Sequence, residues 1–422
     1  MQHMSNADNL DQMGNESLIA PIPRITLQAF CETNGTASAL QNATQDRRMS
    51  KVHVKVQMGG VVGAIESFQS SPTPNVIVIE TASQNEYLLE KLNELAELCD
   101  PGTKVIVIGQ YNDISLYREL ISRGVSDYLV VPLNVITFVK VLSNIYSSGA
   151  SAAIGKVIAV MGAKGGVGAS TVAHNLAWHI SNRLDLSAAI IDLDLPFGTA
   201  ALNFNHDPST GISDAIYAQH TPDEALIDKL LIKCTDKLNL FATYATLDRA
   251  YDIPEDGLDA IMDSLRSMIP NIILDIPHIW TSWSRRVLIS ADEVIIVAVP
   301  DLANLRNTKS LLDVLRQERR FDSNPRFVLN FTNMPKRPEI SPEDFAHALD
   351  LEPQINIAFD PKFFGTAANN GQMLGELDSK HPAAVSMMEL ASRICGRMEP
   401  KVVKKNGLFD PILSKFMGRL AS

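Results

Sequence analysis

The chain has 422 residues, 45% hydrophobic and 20% charged, the make-up of a folded globular protein with room for two or three domains. Its formal net charge of −11 argues against whole-surface binding to nucleic acid. Cys31, Cys99, Cys234 and Cys395 stand far apart without metal-ligand spacing, and no apolar run reaches the roughly eighteen residues of a membrane span. These features exclude a disulfide scaffold, a zinc site and a spanning helix, and the expected compartment is cytoplasmic.

Residues 1–24 are rich in Asn, Gln and Ser and are expected to be disordered, with no secretion leader. Over 25–146 the apolar runs Ile25–Phe30, Val52–Gln57, Val76–Glu80, Val105–Gly109 and Tyr128–Val131 read as five short strands. Between them the clearest helix is Glu86–Cys99, where Leu88, Leu89, Leu92, Leu95 and Leu98 recur at three- and four-residue steps. This alternation predicts a parallel, doubly wound (βα)5 domain. Residues 147–156, SSGASAAIGK, carry no periodicity and read as a linker.

A second α/β block covers 157–398. Its predicted strands are Val157–Met161, Ala188–Asp192, Ile272–Asp275, Glu293–Val299 and Arg326–Asn330, and helices include Ser170–Asn182, Leu302–Arg316 and Pro342–Leu349. The tail, 399–422, differs. Lys401, Lys404, Lys405, Lys415 and Arg419 face only Asp410 over 401–422, a net +4. Asp410–Pro411 can cap a helix in which Ile412, Leu413, Phe416, Met417 and Leu420 share a face. Such a basic amphipathic segment, 407–422, can lie on an anionic membrane or dock on protein.

The chemistry concentrates at Val157–Thr171, VIAVMGAKGGVGAST, an apolar strand, a glycine turn and the start of a helix. A phosphate loop reads GxxxxGK[ST]: backbone N–H groups wrap the phosphates, the lysine reaches the β/γ oxygens and the hydroxyl holds Mg²⁺. Here Ala163 takes the first glycine's place and Ala169 the lysine's, Ser170 and Thr171 follow, and Lys164 stands at the front. Gly165, Gly166, Val167, Gly168 and Ala169 form the predicted cradle, with the helix start behind them. Asp192 and Asp194 follow one buried strand and Asp275 ends another, where carboxylates can hold Mg²⁺ through water or orient an attacking water. Each aspartate alone could equally be a strand-end cap. His174 has no second histidine at ligand spacing, so it is not expected to bind metal. Trp280 and Trp283 follow Asp275, either as a segment sensing nucleotide or as packing.

These residues resemble the deviant Walker-A ATPases of the ParA/MinD class, whose loop reads xKGGxGK[ST]. The resemblance implies a P-loop NTPase fold with a mostly parallel sheet, ATP and Mg²⁺ as ligands, and a homodimer in which Lys164 reaches the partner's phosphates. It further implies Ser170 as a Mg²⁺ ligand, Asp275 as a Walker-B-like acid acting on Mg²⁺ through water, Asp194 as the residue positioning the hydrolytic water, and Asn330 as an adenine contact. Ala169 departs from the class, so hydrolysis is expected to suffer more than binding and to be slow at most. Residues 174–175 (HN), 274–280 (LDIPHIW), 291–313 and 359–374 (FDPKFFGTAANNGQML) narrow the similarity to the TadZ/CpaE pilus-assembly subfamily. That implies a dimeric factor for assembling or placing Tad (Flp) type IV-like pilus machinery. Its partners would be pilus and secretion proteins, and its place the inner membrane surface or cell pole.

The front block, ending in GVSDYLVVPL, resembles a response-regulator receiver. Glu80 stands where the phosphorylated aspartate would be, Gly109 at the hydroxyl position and Val131 at the lysine position. The expected role is therefore a docking or dimerisation surface rather than a phosphorylation switch. Two other readings of the chain remain: a partition ATPase binding DNA non-specifically, which would need a basic stripe and normally keeps the loop lysine, and a metabolic P-loop enzyme, which would need a substrate pocket.

Overall fold

The computed structural model describes residues 19–397 except 84–85, 148–153, 219, 221, 245–246, 248–251 and 255–256. The predicted tail helix and most of the predicted linker lie outside the described residues.

The first sheet has five parallel strands: β1 (Ile25–Cys31), β2 (Val52–Met58), β3 (Val76–Thr81), β4 (Lys104–Gly109) and β5 (Asp127–Val130). Their spatial order is β2-β1-β3-β4-β5. β3, VIVIET, is buried along its whole length, as a strand covered by helices on both faces must be. Leu40, Phe138 and Leu142 close one face, and Ile65, Phe68, Leu88 and Leu120 the other. The expected disordered stretch 1–24 is contradicted at its end. Ala20 and Ile22 are buried, Ser143 Oγ donates to the Ala20 carbonyl (2.9 Å), and the Ile22 N–H donates to the Arg48 carbonyl (3.0 Å). Apolar side chains at 19, 20 and 22 give this short segment a core to join.

The second sheet contains β6 (Lys156–Gly162), β7 (Ala188–Asp192), β8 (Ile232–Lys233), β9 (Leu238–Phe241), β10 (Asn271–Ile276), β11 (Glu293–Ala298), β12 (Arg326–Thr332) and β13 (Ile355–Ala358). The order is β13-β12-β11-β6-β10-β7-β9-β8, parallel except for the β8–β9 pair. β6 is central and buried from Val157 to Gly162. The chain leaves it for β7 on one side and later returns to β11 on the other, so its carboxyl end is a topological switch point. The helix Ala169–Asn182, buried from Val172 to Ser181, packs between this sheet and the helix Pro382–Ile394.

The two sheets' units meet through an ion cluster at the amino end of β6. Arg47 Nε lies 2.6 Å from Asp322, its Nη2 3.2 Å from Asp292, and its Nη1 donates to the Ser290 carbonyl at 2.8 Å. Arg48 pairs with Asp46 and Asp322, Arg266 with Asp292, and Arg319 with Asp322. No side chain in this set is more than 9% exposed.

In the front unit, Glu80 is held by four donors: the N–H groups of Glu32 and Thr33 (both 2.8 Å) and the hydroxyls of Thr33 (2.7 Å) and Thr36 (2.6 Å). The carboxylate thus ties down the turn that leads into the helix Asn34–Ala43, whose cap is Thr33, its hydroxyl accepting the Thr36 N–H. Burial alone would raise its pKa, but the bonds from Thr33, Thr36 and Glu32 hold it below the usual carboxylate range. Beside it, the Tyr128 ring fills the space a side chain at Gly109 would need. Because Glu80 titrates lower folded than unfolded, its stabilisation is complete above the unfolded value of 4.5 and is lost as pH falls through the folded value. Glu80→Ala strands four donors. It is expected to lower the front unit's stability by about 3 kcal/mol at neutral pH and to flatten its acid dependence. Denaturant melts at neutral and acid pH check this; equal losses at both would contradict it.

Candidate functional site

β6 ends at Gly162, and the turn beyond it is tied to three neighbouring segments. The Ala163 N–H donates to Val297 O (2.8 Å), Asn307 Nδ2 donates to Ala163 O (2.8 Å), and His278 Nδ1 lies 2.9 Å from Gly162 O. Gly168 then adopts φ +85°, and a side chain there would also press on Asn330 Nδ2 at 2.6 Å. Only glycine fits this position. The helix starts at Ala169, whose first-turn N–H groups have no intrahelical partners and face the mouth of the loop. Lys164, Gly165 and Gly166 are exposed, while Ala169, Ser170 and Thr171 are half-buried. Between them Val167 turns its side chain into the core, so 164–166 and 168–171 are the accessible parts of the predicted cradle.

Lys164 has an anion nearby. Burial opposes the charge on Asp301, but the Asn304 backbone and amide, then the Lys164 charge, hold that carboxyl below its usual range.

The three aspartates gather at the carboxyl ends of β7 and β10. Asp275 aligns with Asp192 across the two strands and with Val160 of β6 on its other side. Asp192 is fully buried and accepts the N–H groups of Asp194 and Ala200, both at 3.0 Å. A side chain at Gly198 would run into its Oδ2. Burial, reinforced by the Asp275 charge, pushes Asp192 up to about 7. Asp194 is half-buried. Burial raises its carboxyl, the Phe197 N–H opposes the rise, and the Asp275 charge adds to it.

His174 faces this group. Asn203 Nδ2 lies 2.9 Å from its Nδ1, so Nδ1 accepts and Nε2 carries the proton, 3.2 Å from Asp275 Oδ2. Spacing arguments set this histidine aside as a metal ligand; its place beside Asp275 is set by the next turn of the loop helix. His278 and Asn307 were also unassigned. His278 stands just beyond the end of β10 and Asn307 in the second turn of the helix Leu302–Glu318, within the segments 274–280 and 291–313 that carry the family likeness.

Asn330 is 2% exposed, and its Nδ2 donates to Val167 O at 2.8 Å, so that group props the loop from beneath, while its Oδ1 has no hydrogen-bond partner among the described residues. The cause is the path of β12, which passes directly under Gly168. Beyond it Phe331, Asn333 and Lys336 all have positive φ, the strained backbone that gathers at ligand sites. Of the two tryptophans, Trp283 is buried packing, whereas Trp280 is 51% exposed and walls a 340 Å³ apolar cavity with Met161, Ala163, Leu311 and Val314. Phe197, Leu202 and Leu302 are also exposed after β7 and β11, so the strand ends carry several bare apolar groups.

Among the described residues no helix is long and apolar enough to cross a membrane. Residues 153–203 match the family model described as ParA: NUBPL iron-transfer P-loop NTPase. The septum site-determining protein MinD of Synechocystis is 26% identical over 277 residues, covering 62% of this chain and 99% of that protein. A solved pilus assembly protein, CpaE from Caulobacter crescentus, is 44% identical over 30% of this chain and 98% of its own, with a TM-score of 0.30. MinD from Pyrococcus horikoshii, solved in complex with Mg-ADP, is 18% identical with a TM-score of 0.50, covering 57% and 96% of the two chains. A strand–glycine loop–helix with an early lysine, set at the switch point of a parallel sheet, agrees with these matches: the chain belongs to the ParA/MinD family of P-loop NTPases, with CpaE pilus assembly proteins among its relatives.

Proposed function

We propose that the chain is an ATP-binding assembly factor that pairs through its nucleotide face and serves a Tad (Flp) type IV-like pilus secretion system, with hydrolysis slow at most. The observation that carries this reading is the loop itself. Its amides and helix start are laid out for phosphates, Lys164 projects outward, and Ala169 leaves no cation inside. The residues fit ATP and Mg²⁺, which supply the charge that makes pairing depend on the ligand. The amides of Gly165, Gly166, Val167, Gly168 and Ala169 would hold the phosphates, with Ser170, Thr171 and Asp275 on the metal side. His174, its Nε2 3.2 Å from Asp275, would steady that carboxylate, and Asp194 would orient water. The solved MinD holding Mg-ADP supports the ligand class. The similarity to CpaE supports the pilus context.

Pairing is supported by the exposed Phe197, Trp280 and Leu302 at the strand ends, an apolar face suited to a second copy. Lys164 of each copy would then reach the other's phosphates and supply part of the charge lost at Ala169. Peripheral membrane or polar placement through 407–422 belongs to the same proposal. Sizing the purified chain with and without ATP–Mg²⁺, beside a Lys164→Ala variant, tests it. The wild type is expected to shift to a dimer and the variant to remain monomeric. A dimer unchanged by Lys164→Ala, or no nucleotide uptake at millimolar concentration, would overturn it.

A further inference from the structure

The ion cluster joining the two units lies at the opposite edge of the sheet from the nucleotide loop, yet two helices connect them. The helix Ser282–Ser290 spans about 14 Å and follows directly on His278 and Ile279. His278 is bonded to Gly162 O at the loop, and Ser284 Oγ donates to Ile279 O at 3.0 Å. At the helix's other end the Ser290 carbonyl receives Arg47 and the Leu288 carbonyl receives Arg319, both at 2.8 Å. The helix Leu302–Glu318 spans about 25 Å and repeats the arrangement. Asn307, in its second turn, is bonded to Ala163 O, and its C-cap residue is Arg319. Asp292 closes the circuit: its Oδ2 accepts the Val157 N–H at the start of β6, the strand that ends in the loop.

Both helices and the loop strand therefore have one end at the phosphate cradle and the other at buried charges shared with the front unit. Arg47 is the only front-unit side chain touching three of those points, Ser290 O, Asp292 and Asp322, among the described residues. A buried ion pair has few acceptable geometries, because a displaced partner leaves an uncompensated charge. A shift of either helix at the cradle must therefore be followed by the front unit or must break the cluster.

We infer that the Arg47 cluster couples the front unit to the nucleotide loop, so that docking of the front unit and occupancy of the cradle change each other's free energy. Arg47 acts as a positioning residue through the Ser282–Ser290 helix. The inference rests on the proposed nucleotide site for its ligand, but not for its mechanics, and coupling of this kind is reciprocal.

The test uses the full chain and two variants, Arg47→Ala and Asp322→Asn, each checked for intact folding by circular dichroism. In nucleotide-free protein, hydrogen exchange at 278–284 and 162–168 is expected to quicken in both variants, while the front sheet's β3 stays protected. With ATP–Mg²⁺ as the probe, both variants should change affinity by about fivefold or more. ATP–Mg²⁺ should in turn alter exchange at 46–51 in the wild type and not in Arg47→Ala. Unchanged exchange at 278–284 in folded variants overturns the coupling, whether or not ATP binds. Failure of the wild type to bind ATP while that exchange still responds overturns the nucleotide reading alone. If both variants unfold, Lys51→Ala, which breaks only the exposed pair with Asp263, together with Arg47→Lys decides the matter: the coupling predicts a response to Arg47→Lys only.

Discussion

Ala169→Lys is expected to tighten ATP binding by about tenfold or more and to produce measurable hydrolysis. A charge-assisted bond to the β/γ oxygens is worth roughly 1.5–3 kcal/mol, and 1.4 kcal/mol is a factor of ten in affinity. The same cation would stabilise charge developing in phosphoryl transfer, so turnover should gain more than binding. The position can take the side chain: Ala169 is half-buried and opens the helix at the mouth of the loop. Calorimetry and phosphate release on wild type and variant provide the measurements. An unchanged dissociation constant in a folded variant would mean that Lys164 or another group already fills the role.

The second large effect belongs to the glycines, and the structure separates them. Gly168→Ala forces a side chain into φ +85° and against Asn330 Nδ2, whose bond to Val167 O must then yield. Strain of about 1–3 kcal/mol, with about 1 kcal/mol for the displaced hydrogen bond, predicts a loss of about 2–4 kcal/mol in stability. Because the displaced amides are those meant for phosphate, nucleotide binding should fall by more than tenfold. Gly165→Ala meets no atom within 4 Å and needs no positive φ, so it should leave stability nearly unchanged. Melting curves and titrations on the pair check this. Equal behaviour of the two variants would show that the loop is softer than its geometry indicates.

The central strands were legible because they are buried on both faces and appear as unbroken apolar runs, as in VIVIE of β3 and VIAVM of β6. β8, β9 and β13 were missed because they are short elements at or next to the sheet's edges. IK, LNLF and INIA are too brief or too mixed to separate from loop. The cradle was readable since its glycines fall within residues 165–168, and the carboxylates because Asp192 and Asp275 lie at the ends of buried strands with Asp194 just beyond the first. Asn330 was assigned a contact on family likeness; only the crossing of β12 beneath Gly168 shows that its Nδ2 also ties down the loop. The Arg47–Asp292 and Arg47–Asp322 pairs had no local signal at all, being 245 and 275 residues apart.

The placement of the Arg47 cluster has a geometric consequence for any pair joined at the cradle. The front unit sits at the amino edge of the large sheet, so in such a pair the two front units would lie on its outer sides, separated by two ATPase layers. Each pair would then offer two identical outward arms at fixed separation. A scaffold presenting repeated targets at that spacing would be held by both arms at once, with avidity far above a single arm's grip. One presenting a lone target would gain nothing from the proposed pairing.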